Sequence, residues 1–152
     1  MAQTRYEYEL RPMKLEDLEE VYSIEVDSFT LPWSRDALTE EIASVPGAHM
    51  LVAEYEGKVV GYAGFRQVVD EAQVTNIAVA HDWRGRGVGH ALMDRMMADC
   101  PRLGISSISL EVRVSNKGAI HLYERKGFSA RGIRRGFYER PKEDAVIMVR
   151  EF

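Results

Sequence analysis

The sequence predicts an α/β fold, with a mixed, mostly antiparallel central sheet of about seven strands and about four helices on its two faces. A chain of 152 residues, 45% apolar and 29% charged, is long enough for one sizeable core and has the composition of an ordinary globular protein. Apolar residues recur with strand and helix periods in the order strand, two helices, three strands, helix, strand, helix, two strands. We therefore expect residues 1–152 to form a single domain.

The first half of the chain predicts a strand, two helices and an antiparallel meander. Residues 6–11 alternate as in a strand, and Pro12 stops the pattern. Acidic residues crowd the start of a helix that runs from Leu15 through Ser28, and Ser34 caps a second helix that ends near Ser44. Three strands joined by tight turns follow, over residues 49–55, 59–69 and 73–79.

The second half predicts two helices that alternate with strands. Helical spacing returns over residues 87–99, and a strand follows over residues 105–112. Ser115 or Asn116 caps a helix that reaches Lys126, where Gly127 acts as its C-cap. Two closing strands cover residues 128–137 and 145–150.

A glycine-rich junction is the strongest chemical signal in the sequence. The segment QVTNIAVAHDWRGRGVGHAL, residues 73–92, predicts a strand, a polar turn and the start of a helix. Glycines there let main-chain amides approach a ligand, and the free amides of a helix start bind phosphate. A dinucleotide-binding fingerprint is disfavoured, because it requires glycine where His90 stands and a βαβ unit instead of a meander.

One motif of the sequence resembles the acetyl-CoA-binding motif of the GNAT N-acetyltransferase superfamily, and four further segments narrow this resemblance. The motif is Arg84-x-x-Gly87-x-Gly89 after a strand that ends Asn76-Ile77-Ala78-Val79, and the element order of the whole chain is similar to the GNAT fold. The match narrows to the RimI-type N-terminal protein acetyltransferases through FTLPWS, LEVRVSN, LYERKGF and RGFYERPKEDAVIM, which begin at residues 29, 110, 122 and 135.

This resemblance implies acetyl-CoA as co-substrate and a set of residues that bind it. Main-chain groups of Ile77, Ala78 and Val79 would meet the pantetheine arm, through a bulge or splay that the sequence cannot reveal. Asn116 would hydrogen-bond the cofactor, although it also suits an ordinary N-cap. The pyrophosphate would lie on the loop, whose candidate residues are Arg84, Gly85, Arg86, Gly87, Val88, Gly89 and His90.

The resemblance also implies two catalytic residues. Glu111 shares a strand face with Ser107 and Ser109, so its carboxylate could act as general base; an ion pair with Arg113 or another arginine is the alternative. Tyr123 shares a helix face with Asn116 and would give a proton to the coenzyme sulfur. A core-edge aromatic with a satisfied hydroxyl is the alternative for Tyr123.

The expected substrate is the N-terminal α-amine of a protein, which in RimI-type enzymes is the alanine of a small-subunit ribosomal protein. At pH 7 an α-amine is roughly a tenth neutral, whereas a lysine is neutral about once in a few thousand molecules, so one carboxylate base suits the α-amine better. Trp33 and Tyr138 are candidates for the peptide entrance or, equally, loop anchors on the core. Acetylation of a lysine or small free amine, and a non-catalytic acyl-CoA-binding module, remain open.

Charge and composition argue against a nucleic-acid-binding protein, a metal site and a membrane-spanning segment. Residues 1–80 carry a net charge of −9 and residues 81–152 one of +5, which indicates two partners of opposite sign or simply a solvated surface. No aromatic stacking array accompanies the arginines, so direct nucleic-acid binding is not expected. No metal-ligand motif, signal peptide or membrane-spanning run is visible. The single cysteine, Cys100, fits a structural role in a reducing compartment and favours a cytoplasmic protein.

Overall fold

The structure, a computed structural model, describes residues 8–152 as one seven-stranded sheet with helices on both faces. The strands are β1 (Glu9–Pro12), β2 (Ala48–Tyr55), β3 (Lys58–Val68), β4 (Glu71–Val79), β5 (Ser107–Arg113), β6 (Ser129–Tyr138) and β7 (Glu143–Glu151). The helices are α1 (Leu18–Ser28), α2 (Arg35–Ala43), α3 (Val88–Arg102) and α4 (Lys117–Arg125), with short 3-10 turns at Leu15–Asp17 and His81–Trp83.

The strand order is β1-β2-β3-β4-β5-β7-β6, and among these described strands only the β4–β5 pair is parallel. The prediction of a mixed, mostly antiparallel sheet is therefore confirmed, as is the meander formed by β2, β3 and β4. This topology places β4 and β5 side by side at the centre of the sheet, although 27 residues separate them in the chain.

Two apolar clusters cover opposite faces of the sheet. On one face, α3 buries Val88, Leu92 and Met96 against the sheet, at the four-residue spacing expected of an amphipathic helix. On the other face, Val21 and Ile24 of α1 and Leu38 of α2 pack on strands β2–β4. Side chains alternate between the faces along a strand, so Leu51 and Ala53 of β2 belong to the first cluster and Met50 and Val52 to the second.

The structure corrects several predicted boundaries. Residues 6 and 7 of the first predicted strand lie outside the described residues, and the described strand includes Pro12. Because β1 is an edge strand, the missing amide of a proline costs it no essential ladder bond. The prediction that α3 ends at residue 99 was wrong, since the helix continues to Arg102 with Pro101 inside its last turn. The amide of Leu103 closes that turn on the carbonyls of Asp99 and Cys100, both at 3.1 Å.

Smaller differences affect the closing strands. β5 begins two residues later than predicted, at Ser107. Tyr138 is the last residue of β6 and not part of the hairpin loop that follows it. Within residues 8–152, none of the helices combines the length and apolarity needed to cross a bilayer.

Candidate active site

The central feature of the candidate site is a gap between β4 and β5. The two strands pair over only three rungs, from Glu71 with Ser107 to Gln73 with Ser109. Beyond Gln73, β4 pairs only with β3, while β5 continues beside β7. A bulge at Thr75 interrupts the β3–β4 register just where the strands part. The early end of the β4–β5 pairing and the bulge both leave main-chain groups of β4 outside a regular hydrogen-bond ladder.

A loop with two left-handed glycines leads from β4 into α3. Gly85 and Gly87 have φ values of +77° and +84°, and the space beside each Cα is open. Only glycine adopts this backbone conformation without strain. Gly87 is the N-cap residue of α3, and none of the described side chains caps the helix, so the first amides of α3 face the loop without a side-chain partner from that part of the chain. Such a helix start favours a bound anion.

A cavity of about 570 Å³ lies between this loop, the end of β4 and α4. Nine of the site residues predicted from the sequence line it: Ile77, Val79, Arg84, Gly85, Gly87, Val88, Gly89, His90 and Tyr123. Four lining residues escaped the sequence analysis: Trp83, Met93, Leu122 and Lys126. Leu122 and Lys126 belong to the LYERKGF segment, so the helical spacing around Tyr123 is the signal that could have found them.

Three predicted cofactor residues do not line this cavity. The Ala78 side chain packs into the core cluster on the α1–α2 face, as strand alternation requires for a residue between Ile77 and Val79. The guanidinium of Arg86 lies 5.0 Å from the centre of the Trp83 ring. Asn116 is the N-cap of α4, where its side chain accepts a hydrogen bond of 3.2 Å from the amide of Ala119.

Arg84 lines the cavity and also ties the loop to neighbouring elements. It donates to the carbonyl of Val79 at 3.1 Å and to the hydroxyl of Ser28 at 3.2 Å. Arg84 also lies 3.5 Å from the carboxylate of Asp27. The same side chain therefore brings positive charge to the loop and anchors the loop on the end of α1.

Glu111 lies at the edge of the gap, on the sheet face opposite the cavity. Its neighbours Leu110 and Val112 pack in the apolar cluster that α3 covers, against which Ala119 and Ile120 of α4 also pack (the α3–α4 core), so Glu111 points to the other face. The side-chain amide of Gln73 donates to both of its carboxylate oxygens, at 2.9 and 3.1 Å. The carboxylate of Glu111 also forms an ion pair with Arg134, at 3.8 Å. Arg113, which the sequence suggested as its partner, pairs with Glu143 at 3.2 Å instead.

Tyr123 approaches the gap from the cavity side. It packs against the α3–α4 core, with its ring centre 5.9 Å from that of Phe128 in an edge-on arrangement. Burial raises the pKa of the Tyr123 hydroxyl above its ordinary value, so the group stays protonated at neutral pH. The carboxylate of Glu111 and the protonated hydroxyl of Tyr123 thus lie on opposite faces of the sheet, near the place where β4 and β5 part.

The two aromatic candidates for a peptide entrance lie at well-anchored positions. The main-chain amide of Trp33 donates to Glu25 at 3.0 Å, and the guanidinium of Arg66 lies 5.7 Å from the Trp33 ring centre. The guanidinium of Arg113 lies 4.3 Å from the ring centre of Tyr138. Burial, followed by the negative charge of Glu111, raises the pKa of Tyr138, so this hydroxyl is protonated near neutral pH too.

Residues 18–128 match the acetyltransferase (GNAT) family, which covers more than half of the chain. This chain belongs to the GNAT acetyltransferase family. The resemblance found in its glycine loop and element order is thereby confirmed. Enzymes of this family use acetyl-CoA, and the chain is accordingly an acyltransferase.

Individual relatives agree with this assignment. A Bacillus subtilis (strain 168) protein, provisionally named a ribosomal protein bS18-alanine N-acetyltransferase, is 43% identical over 91% of this GNAT chain and 92% of its own. The ribosomal protein bS18-alanine N-acetyltransferase of Escherichia coli (strain K12) is 38% identical over 87% and 89%. The crystal structure of the Escherichia coli ribosomal-protein-S18-alanine N-acetyltransferase superposes with a TM-score of 0.88, at 32% identity and 95% and 94% coverage.

Proposed function

We propose that this GNAT enzyme transfers the acetyl group of acetyl-CoA directly to the N-terminal α-amine of a protein, with the N-terminal alanine of the small-subunit ribosomal protein bS18 as its substrate. The observation that carries this proposal is the arrangement of Glu111 and Tyr123 on opposite faces of the sheet, beside the gap between β4 and β5. The names of its relatives support the choice of substrate.

The cavity beside the glycine loop fits acetyl-CoA. A volume of about 570 Å³ suits an extended ligand that enters from the surface. Its loop end offers the uncapped start of α3 to the pyrophosphate, with positive charge from Arg84. Main-chain groups of Ile77, Ala78 and Val79 would bind the pantetheine arm at the edge of the gap. Asn116, the candidate for a further hydrogen bond to the cofactor, lies at the start of α4, whereas Lys126 lies at the end of that helix. Bound there, acetyl-CoA supplies an activated acetyl thioester.

Each catalytic residue has one proton to move. Glu111 accepts a proton from the attacking amine, directly or through a water molecule, as the new carbon–nitrogen bond forms. Tyr123 donates its hydroxyl proton to the departing sulfur as the carbon–sulfur bond breaks, and its raised pKa keeps that proton available. No acetyl group is passed through the enzyme, so no nucleophilic side chain is required. The amine therefore attacks the carbonyl carbon of the thioester through the gap, with the amine and the departing sulfur on opposite faces of the sheet.

The face that carries Glu111 is the one on which we place the peptide. Trp33, in the loop between α1 and α2, packs on the apolar cluster of this face. Tyr138, at the end of β6, is close enough to Glu111 for that charge to contribute to its raised pKa. Glu20, in the first turn of α1, adds negative charge that would steer a cationic peptide toward this face, whereas the charge of Glu19 is offset by Arg35 at 3.0 Å. We further propose that the chain acts as one domain in the cytoplasm, because both cores share a single sheet and Cys100 is buried as a free thiol.

Mass spectrometry of the products tests the proposal. The purified enzyme is incubated with acetyl-CoA and an alanine-ended peptide, the same peptide with a blocked N terminus and an internal lysine, or a polyamine. We expect a 42 Da addition (about the mass of one acetyl group) on the alanine-ended peptide alone. Modification of the blocked peptide would favour a lysine substrate, and modification of the polyamine a small-amine substrate. Tight acetyl-CoA binding without turnover on any amine would favour the non-catalytic module.

A further inference from the structure

A buried carboxylate holds the loop between α1 and α2. Glu25, on α1, is only 1% exposed. One of its oxygens accepts hydrogen bonds from the Tyr62 hydroxyl and from the side-chain amide of Asn76, the latter at 3.2 Å. The other oxygen accepts the main-chain amide of Trp33 at 3.0 Å. Within residues 8–152 no cation forms an ion pair with Glu25, so these three neutral donors are what offsets its burial.

These hydrogen bonds join the loop to the strand beside the gap. Asn76 lies on β4, next to Ile77 of the cavity wall and directly after the bulge at Thr75. Tyr62 lies on β3, two positions from the residue that pairs with Asn76. Glu25 therefore fixes the position of the loop main chain relative to the part of the sheet where β4 and β5 separate.

The ring of Trp33 has a separate anchor. Arg66, whose guanidinium lies beside the indole, forms an ion pair with Glu41, a second buried carboxylate that is 3% exposed. Arg66 pairs in the sheet with Gln73, and the side chain of Gln73 binds Glu111. A chain of contacts thus runs from the loop across β3 and β4 to the proposed general base.

We infer that Glu25 is a positioning residue for the protein substrate: it fixes the main chain of the α1–α2 loop so that Trp33 is pre-organised to bind the incoming N-terminal peptide. This inference rests on the proposed function, which places the peptide on this face. A fixed loop binds a flexible peptide more tightly because less freedom is lost on association. The cofactor side depends on Glu25 much less, since β4 keeps its own ladder with β3 from Gln73 to Val79.

Three substitutions separate this role from general stability. Glu25→Met keeps the size of the side chain and removes every acceptor. Glu25→Gln keeps an acceptor for the Trp33 amide, and its new amide donor can meet the Asn76 side-chain oxygen, which is buried and has no hydrogen-bond partner among the described residues. Tyr62→Phe is the matched control, because it removes one hydrogen bond from the same carboxylate and leaves the Trp33 contact intact.

Steady-state kinetics with an alanine-ended peptide provide the first readout. We expect Glu25→Met to raise the KM for peptide about tenfold, the scale of a hydrogen bond to a charged group, with kcat and acetyl-CoA affinity near wild type. Glu25→Gln should restore KM to within about threefold of wild type, and Tyr62→Phe should leave it unchanged. Equal KM values for Glu25→Met and Tyr62→Phe would overturn the inference, as would a loss confined to kcat.

Hydrogen exchange of the Trp33 amide in the wild-type protein gives a second readout that does not depend on a variant folding. Slow exchange supports the anchor, and exchange at the rate of an unprotected amide overturns it. A further variant, Trp33→Ala, separates failure of the proposed function from failure of the role of Glu25. If wild type acetylates no peptide α-amine, the proposed function fails; if it does, and Trp33→Ala raises KM while Glu25→Met does not, only the role of Glu25 fails.

Discussion

The side-chain amide of Gln73 donates to both carboxylate oxygens of Glu111, at 2.9 and 3.1 Å, from the last rung on which β4 and β5 are paired. One strand thus orients the carboxylate of the other just before the two separate. Because Gln73 is neutral, it fixes the geometry of Glu111 without an added positive charge. The nearest arginine, Arg134, lies farther away, at 3.8 Å.

Replacement of Glu111 by Gln should slow turnover by about 100- to 10,000-fold, the range of general base catalysis. The amide keeps the shape of the carboxylate but accepts no proton at neutral pH. Initial rates with saturating peptide would measure this loss, and calorimetric titration should give an unchanged affinity for acetyl-CoA. Glu151→Gln, on an exposed carboxylate at the end of β7, is the control and should behave as wild type. A wild-type rate for Glu111→Gln removes it as the base.

Replacement of Tyr123 by Phe should lower kcat by at least about tenfold, because the departing sulfur loses its proton donor. Burial raises the pKa of Tyr123, so in wild type the donor stays protonated beyond its ordinary value of 10.0. Loss of the Tyr123 proton should therefore not limit kcat below that pH. A pH–rate profile measures both points. Tyr22→Phe, on α1, is the control, and an alkaline decline near neutral pH that disappears in Tyr123→Phe would contradict the expectation.

Replacement of Gly87 by Ala should weaken acetyl-CoA binding as well as the fold. A left-handed alanine costs about 1–2 kcal/mol, so either the free energy of unfolding falls or the loop shifts away from its φ of +84°. Gly57→Ala is a matched control, because Gly57 has a φ of +81° and equally open surroundings in the β2–β3 turn, and it does not line the cavity. Urea unfolding should show similar losses for both, whereas titration with acetyl-CoA should show weaker binding for Gly87→Ala alone. Equal affinities would show that the loop geometry does not matter for the cofactor.

Replacement of Asp17 by Asn should destabilise the protein at neutral pH by about 2 kcal/mol, since a buried charged hydrogen bond is lost. Arg11 donates two hydrogen bonds of 2.8 Å to Asp17 and thereby lowers the pKa of that carboxyl below its ordinary value of 3.8. The stabilisation is present above that value and disappears as pH falls through the lower pKa of the folded protein.

Urea unfolding at pH 7 and near pH 3 would measure this pH dependence. The gap between wild type and Asp17→Asn should be wide at pH 7 and narrower in acid. Asp36→Asn, on an exposed position in the first turn of α2, should change the free energy of unfolding by less than about 0.5 kcal/mol. A difference between wild type and Asp17→Asn that is independent of pH would contradict the role of the Arg11 pair.

Most of the fold could be predicted from the sequence because periodicity and capping are local signals. Asn116 at the start of α4 and the apolar spacing of α3 are examples, and the structure confirms both. The predicted boundaries at Pro12 and at residue 99 were wrong for different reasons. The edge strand β1 does not need the amide that Pro12 lacks, and the amide of Leu103 closes the last turn of α3 around Pro101.

The candidate site could be predicted only in part. Residues close together in the sequence, such as those of the glycine loop apart from Arg86, lie together around the cavity. The partner of Glu111 was not, because Gln73 lies 38 residues away and reaches it through a strand pairing that no local pattern specifies. The gap itself follows from where that pairing stops. Glu25 likewise resembled any acidic residue of α1 until its burial beneath Trp33 became visible.

The parting of β4 and β5 also has a thermodynamic consequence. A sheet that opens at its centre lacks cross-strand hydrogen bonds that a continuous sheet would have. The folded protein is therefore less stable without its ligand than with the ligand bound. A ligand that binds only the folded state adds about 2.7 kcal/mol at a concentration one hundred times its Kd. Resistance of this protein to heat and to proteases should therefore rise and fall with the supply of acetyl-CoA around it.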